Sequence, residues 1–381
     1  MRGQIELGSA FVRPASIELE LARELLAVMP GMERVKFAKN GSNVTTAAVK
    51  LARAFNGRKL VAFPGDHSFY SFDDWFIGNT VMNAGVPDEF RALAVTYRST
   101  DPDSLERLFA QYPGQISCVI SEPENVVPIA PSVIRAVQDI ARRHGAVFIL
   151  DEMVTGFRAG FPGAYARLGL EPDITTWGKA IGNGFSLSLL AGRADIMDLG
   201  GIKGSGKQRV FLLSSTHGGE AHSLAAGLAV LREYRDKNVI ARHGELVAQM
   251  LAGMRAELEA QGLSNHIALH ASSWRILLGF ADADGAASAP LRTLFLQEMI
   301  ARGVLFQGLF LPCFTHDDDD IAQILAAFRG SCAVYRDALD KGWQDLLVGE
   351  PTRPVFRKYN GCRISCPSQP CPHETRCSAD E

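Results

Sequence analysis

The chain has 381 residues, 47% of them hydrophobic, with 39 Lys and Arg against 42 Asp and Glu, giving a formal charge of −3. That length supports a large core and two domains rather than one. The near-neutral balance leaves no basic field of the kind that draws nucleic acid or an anionic membrane, so neither partner is expected and small-molecule chemistry is. The opening MRGQIELGSAFVRPASIELE lacks the unbroken apolar core of a secretory signal, and no later stretch reaches about 18 uninterrupted apolar residues, which predicts a cytoplasmic protein. Of seven cysteines, Cys118, Cys313 and Cys332 lie in apolar surroundings that suit reduced, buried thiols, and the other four crowd into the tail.

In chain order, residues 17–29 space Leu19, Leu21, Ala22, Leu25, Leu26 and Met29 along one broad helical stripe. Val35 and Phe37 mark a short strand that runs into the polar turn Lys39-Asn40-Gly41-Ser42-Asn43. Val44, Ala47, Ala48, Leu51 and Phe55 then form one face of an amphipathic helix. The alternation recurs with LVAF at 60–63, CVISE at 118–122, a helix over 132–144, AVFILDE at 146–152 and DITTW at 173–177. Near-continuous apolar strands alternating with helices predict an α/β domain whose mostly parallel sheet is covered on both faces. From about Asn238, a long helix, short strands such as WRILLGF and a closing helix over 320–339 predict a smaller α+β domain.

Ligands of such sheets gather beyond the carboxyl ends of the strands, where Glu122, Asp151 and Lys179 fall. Taken singly, Asp151 reads as a cap and Lys179 as a solvated loop residue. The turn KNGSN changes the balance, because it presents backbone N–H groups and a serine hydroxyl at a helix N-terminus, a ready anion site. A buried lysine can act as an amine nucleophile towards carbonyls. A phosphate cradle, a carboxylate and a lysine on neighbouring strand ends suit pyridoxal phosphate, which needs a Schiff-base lysine, an acid facing its ring nitrogen and a phosphate anchor.

Three runs in this order, DEMVTGFR at 151–158, WGKAIGNG at 177–184 and STHGGEAHSLAAG at 215–227, resemble the class III aminotransferases of the fold-type I pyridoxal phosphate enzymes. Within that class the chain most resembles the glutamate-1-semialdehyde 2,1-aminomutases and related aminotransferases, over roughly residues 15–335. The resemblance implies an amino transfer between an amino donor and a carbonyl acceptor, performed by a homodimer with shared active sites. It implies Lys179 as the Schiff-base lysine and proton shuttle, Asp151 as partner of the ring nitrogen, and Gly41 and Ser42 as phosphate ligands. Thr216 would reach the phosphate from the other subunit, Met153 would pack behind the ring, and His67 would stack on its front face. Residues 1–29 are then an N-terminal helical remnant, 30–237 the cofactor-binding large domain, 238–345 the small domain and 346–381 an irregular Cys-rich tail.

The sequence departs from the family's pattern at several points. His67-Ser68-Phe69 stands where relatives have Tyr-His-Gly, and Asn43 stands where they have an acid. Only about forty residues precede the phosphate turn, fewer than relatives carry, which implies weaker cofactor binding. The alternative function is a scaffold that keeps the fold without turnover, against which the retained Asp151 and Lys179 argue.

Rival sites are weaker. GIKGSGKQ at 201–208 has the spacing of a nucleotide loop, but Gln208 stands where Ser or Thr would bind magnesium. His316 with the acidic run 317–320 reads as a helix cap rather than a metal site. Cys362, Cys366, Cys371, His373 and Cys377 lack the spacing of a standard zinc knuckle, so no metal is expected.

Overall fold

Seven strands form one sheet: β1 (Arg34–Ala38), β2 (Leu60–Pro64), β3 (Ala94–Tyr97), β4 (Ile116–Ser121), β5 (Val147–Asp151), β6 (Ile174–Trp177) and β7 (Ser188–Gly192). The computed structural model that carries them describes residues 2–66, 69–124, 129–202, 209–212 and 216–353. Strand order is β1-β7-β6-β5-β4-β2-β3. The pairs β2–β3, β2–β4, β4–β5 and β5–β6 are parallel, while β7 runs antiparallel to both β6 and β1.

Period-two alternation places the core on both faces. Val147 and Ile149 join Val61, Phe63, Cys118, Ile120 and Leu190 under the Gly41–Asn56 helix. Phe148 and Leu150 join Ala62, Val119, Leu189 and Ala191 on the other face, beneath the helices Ser16–Val28, Pro102–Gln111, Pro131–Arg143 and Ala221–Asp236. Every residue of β2, β4, β5, β6 and β7 is buried, which is why β2, β4 and β5 read as near-continuous apolar runs. The mostly parallel α/β sheet expected from the sequence is the one observed.

β3 and β7 are not among the strands expected from the sequence, and two further details differ from that reading. The helix after β1 begins at Gly41 rather than beyond the polar turn, because the Asn40 side chain caps it by accepting from the Asn43 N–H at 3.0 Å. Cys313 is exposed, in the segment between two elements of the second unit, with its sulfur 3.2 Å from Thr315 Oγ1; its apolar neighbours in sequence do not enclose it. Cys118 and Cys332 are buried.

Contacts divide the chain into two units, Met1–Lys237 and Asn238–Glu381. The second contains an antiparallel sheet of β8 (Ile267–Ser272), β9 (Arg275–Phe280) and β10 (Leu309–Phe310), with helices Val239–Ala260, Ala289–Ala301 and Asp318–Lys341. Its core gathers Leu246, Met250, Phe295, Phe328 and Tyr335. Asp317 caps the last helix in a reciprocal pair with Asp320, so the acidic run serves the helix terminus. Among the described residues no helix is long and apolar enough to cross a membrane and no cluster has the makings of a metal site. The tail residues Cys362, Cys366, Cys371, His373 and Cys377 lie outside the described residues, as does 203–208 of the glycine-rich loop.

Candidate active site

The carboxyl ends of β5 and β6 deliver Asp151 and Lys179 to one pocket of about 530 Å³, and the start of the Gly41–Asn56 helix closes its other side. Its wall includes Lys39, Asn40, Gly41, Ser42, Met153 and Lys179, so four expected phosphate, ring and lysine positions converge. A larger cavity, about 630 Å³, opens at the amino end of β5. Its arginines, Arg142 and Arg193, are already paired with Glu171 and with Asp173 and Asp195, and no lysine, histidine, cysteine or hydroxyl side chain among the described residues lines it.

Asp151 ends β5 and is 2% exposed. Its Oδ1 accepts from the Met153 N–H at 2.9 Å and from Thr176 Oγ1 at 3.0 Å, which fixes the plane of the carboxylate. Burial pushes its pKa up to about 6, opposed by those two donors and by the Lys179 charge. The next residue, Glu152, is not singled out by the sequence motif reading, yet it is fully buried. It accepts from Thr155 Oγ1 at 2.5 Å, Ala164 N at 3.1 Å and Tyr165 N at 2.6 Å, tying the loop after β5 to the helix Ala164–Leu168. Burial raises its pKa to about 7.

Lys179 follows Gly178 at the end of β6 and opens the short 3₁₀ turn Lys179–Ile181. Its φ of 48° lies in the left-handed region, a costly conformation for a residue with a Cβ and one that concentrates where chemistry is done. Its side chain opens onto the pocket, but enclosing protein thins its hydration. That loss of hydration pulls its pKa below the usual lysine range, opposed by the Asp151 and Glu122 charges and assisted by that of Arg158.

Gly41 and Ser42 are the first two residues of their helix, whose N–H groups have no acceptor within the helix, and the helix dipole adds positive character there. The Ser42 hydroxyl accepts from Phe72 N at 3.1 Å and keeps its proton for another acceptor. Met153 reaches between the two glycines. A Cβ at Gly178 would lie 2.2 Å from Met153 Sδ, so this packing excludes a side chain there, and one at Gly41 would lie 3.1 Å from Met153 Cε, a tight contact that the Met153 methyl would have to yield to.

An anion site, a fixed buried carboxylate and a lysine of lowered pKa on a single pocket fit the three polar demands of pyridoxal phosphate. Phe69, Tyr70, Phe72 and Phe185 also line the pocket; an aromatic-rich run after β2 is the one signal that could have found the first three. Thr216 is exposed and does not line this pocket, and His67 lies outside the described residues.

Residues 11–328 match the family described as Aminotransferase class-III, and the chain belongs to that family of pyridoxal phosphate enzymes. It is 33% identical over 360 residues to the glutamate-1-semialdehyde 2,1-aminomutase of Deinococcus radiodurans, covering 84% of this chain and 78% of that one. With the enzyme of the same name from Thermomicrobium roseum it shares 31% over 352 residues, covering 86% and 80%. Its fold superposes on a transaminase solved with PLP bound at a TM-score of 0.80, with 24% identity and coverage of 90% and 82%.

Proposed function

We propose that this chain moves an amino group between an amino donor and a carbonyl compound, in the manner of the glutamate-1-semialdehyde aminomutases, and that it works as a cytoplasmic homodimer. The observation that carries the reading is the convergence of Asp151, Lys179 and the Gly41–Ser42 helix start on one pocket. Pyridoxal phosphate, when bound, supplies the electron sink that makes a proton on the nitrogen-bearing carbon removable.

The chain's own residues do the rest. Gly41 and Ser42 would hold the phosphate with backbone N–H groups and the hydroxyl. Asp151, held in place by Thr176 and Met153 N, would serve as the fixed anion for the ring nitrogen and keep it protonated. Met153, between Gly41 and Gly178, would pack against the ring. Lys179 Nζ would hold the cofactor through its aldehyde. Its lowered pKa favours the neutral amine, the form able to take a proton from the substrate carbon and return it. Thr216, exposed on the surface, is proposed to serve a second subunit's phosphate, and His67 to stack on the ring.

Purified protein mixed with pyridoxal phosphate should turn yellow, and Lys179→Ala should abolish the visible band while leaving the fold intact by circular dichroism. A variant that keeps the same band would refute the assignment. Product analysis with one purified amino aldehyde then separates mutase from transaminase: the mutase gives an isomer of that substrate and nothing else, whereas the transaminase releases a deaminated carbonyl product and needs a separate carbonyl acceptor to take the nitrogen.

A further inference from the structure

Three charged side chains line the pocket among the described residues, namely Asp151, Lys179 and Lys39. The proposed function employs the first two. Lys39 has no part in it, although it sits between the end of β1 and the cap Asn40.

The Lys39 ammonium pairs with Glu220, the residue that opens the Ala221–Asp236 helix. Glu220 also lies 3.0 Å from His217 Nδ1 and 3.8 Å from His222 Nε2. His222 Nδ1 is in turn 2.5 Å from Ser9 Oγ, and the Ser9 carbonyl accepts from Ala221 N at 2.8 Å. The Lys39 backbone is held as well, its carbonyl accepting from Ser186 Oγ at 2.8 Å. Phe185, a pocket residue, packs edge-on against His222 with centroids 6.1 Å apart, so the cluster is continuous with the wall.

This arrangement orients Lys39 without saturating it. The Lys39 side chain is 36% exposed and Glu220 13%, so Glu220 is the more shielded member of the pair and Lys39 the more open one. An ammonium has three N–H donors, and one carboxylate leaves room for a second acceptor. The hydrogen bond from Lys39 holds the Glu220 carboxyl below its usual range, so Glu220 remains an anion and keeps its cation in place. The partner of Lys39 caps a different helix from the one that starts at Gly41.

We propose that Lys39, oriented by Glu220, is a specificity-determining residue that receives a carboxylate of the substrate, the Glu220 ion pair giving way in part to the incoming anion. With the pair intact the rim is nearly neutral and tolerates uncharged substrates, and a substrate carboxylate gains a charge-assisted hydrogen bond. The inference rests on the proposed function, since it takes this pocket as the place where the amino compound binds.

The test uses succinate as a carboxylate probe and succinamide as its uncharged counterpart, with binding measured by calorimetry on protein with and without pyridoxal phosphate. Succinate should bind the wild type more tightly than succinamide does. Lys39→Gln should weaken succinate about tenfold and leave succinamide unchanged, Lys39→Arg should restore succinate, and Glu220→Gln should tighten it severalfold. Equal affinity of the two probes, or succinate binding indifferent to Lys39→Gln, overturns the proposal. A separate titration with pyridoxal phosphate guards against the other assignment: if Lys39→Gln loses the cofactor while keeping succinate, Lys39 is a phosphate ligand and the substrate role is wrong. Failure of the wild type to take up pyridoxal phosphate would instead refute the proposed function, and the succinate results on cofactor-free protein would still decide the role of Lys39.

Discussion

Thr176 and Asp151 are direct partners in the parallel β5–β6 ladder, and Thr176 Oγ1 donates to Asp151 Oδ1 at 3.0 Å. A carboxylate at a strand end would ordinarily turn to solvent; this one is held by its neighbour across the sheet and stays buried. Burial carries a pH signature. The Asp151 pKa is about 6 in the folded chain against 3.8 in its absence, so the native state binds the proton more tightly than the unfolded one. Its charge therefore costs no stability below about pH 4, costs more as pH rises to about 6, and costs a constant amount, roughly 3 kcal/mol, above that. Cofactor-free Asp151→Asn should melt higher than wild type at pH 8, with the gain vanishing near pH 4. Parallel melting curves at both pH values would show that the buried carboxylate carries no such penalty.

Gly178→Ala places a Cβ 2.2 Å from Met153 Sδ and 2.8 Å from Ser188 Oγ. The backbone there is extended, with φ −172°, so the expected loss comes from space rather than from dihedral strain. Overpacking of this kind costs roughly 1–3 kcal/mol. Met153→Ala in the same chain should recover most of the loss, and a double-mutant cycle by urea unfolding measures that coupling. Additive effects of the two substitutions would mean that Met153 and Gly178 do not share this space.

Asn40→Ala removes the side chain that accepts from Asn43 N. Loss of such a cap costs about 1 kcal/mol, and the frayed helix start should also weaken phosphate anchoring. Pyridoxal phosphate affinity measured by fluorescence quenching should fall several-fold, whereas Asn40→Asp should retain the fold but bind the anionic phosphate less well. Unchanged affinity in both variants would remove the Gly41 helix start from the cofactor site.

Tyr234 secures a loop close to the lysine. Its hydroxyl donates to the carbonyl of Phe157, a non-glycine residue with φ 58°, while the Phe157 N–H donates to Pro162 O at 2.7 Å. The Tyr234 ring also packs on Phe157 and Phe161. Tyr234→Phe keeps those ring contacts and deletes the hydroxyl, so it should cost about 1–2 kcal/mol by chemical denaturation. Stability equal to wild type would show that the left-handed turn at Phe157 holds without it.

Those elements of the sheet that carry long apolar runs were legible in the sequence, because burial on both faces leaves few polar interruptions. β5 is of this kind, and so Asp151 could be placed at a strand end, while the β-branched and aromatic residues of β6 marked a strand just before Lys179. β7 was not recognised. Ser188–Gly192 follows the lysine loop so closely that nothing in its composition separates a returning strand from a buried connection. The phosphate turn was legible from Gly41 and Ser42, since a Gly-Ser pair opening an amphipathic helix has a local mechanism. Two classes of residue were not. Phe69, Tyr70 and Phe72 reach the pocket from an irregular segment with no period to read, and Lys39 meets Glu220 across 181 residues of chain. Long-range pairing of that sort depends on where two helix starts fall in space, which single-sequence patterning does not encode.

The reversal of β7 also bears on how this enzyme can be re-engineered. A lysine on an ordinary crossover loop would be followed by a helix, and any change of loop length would be passed on to the packing beyond. Here the chain turns straight back, with Trp177 paired to Leu189 across the hairpin, so both stems of the loop are pinned by main-chain hydrogen bonds. Lys179 stands beside one stem, while the tip at Asn183 and Gly184 is exposed and already left-handed, with φ 41° and 101°. Insertions at that tip can therefore extend the wall over the pocket mouth and alter which molecules enter, with the reactive amine remaining indexed to the sheet.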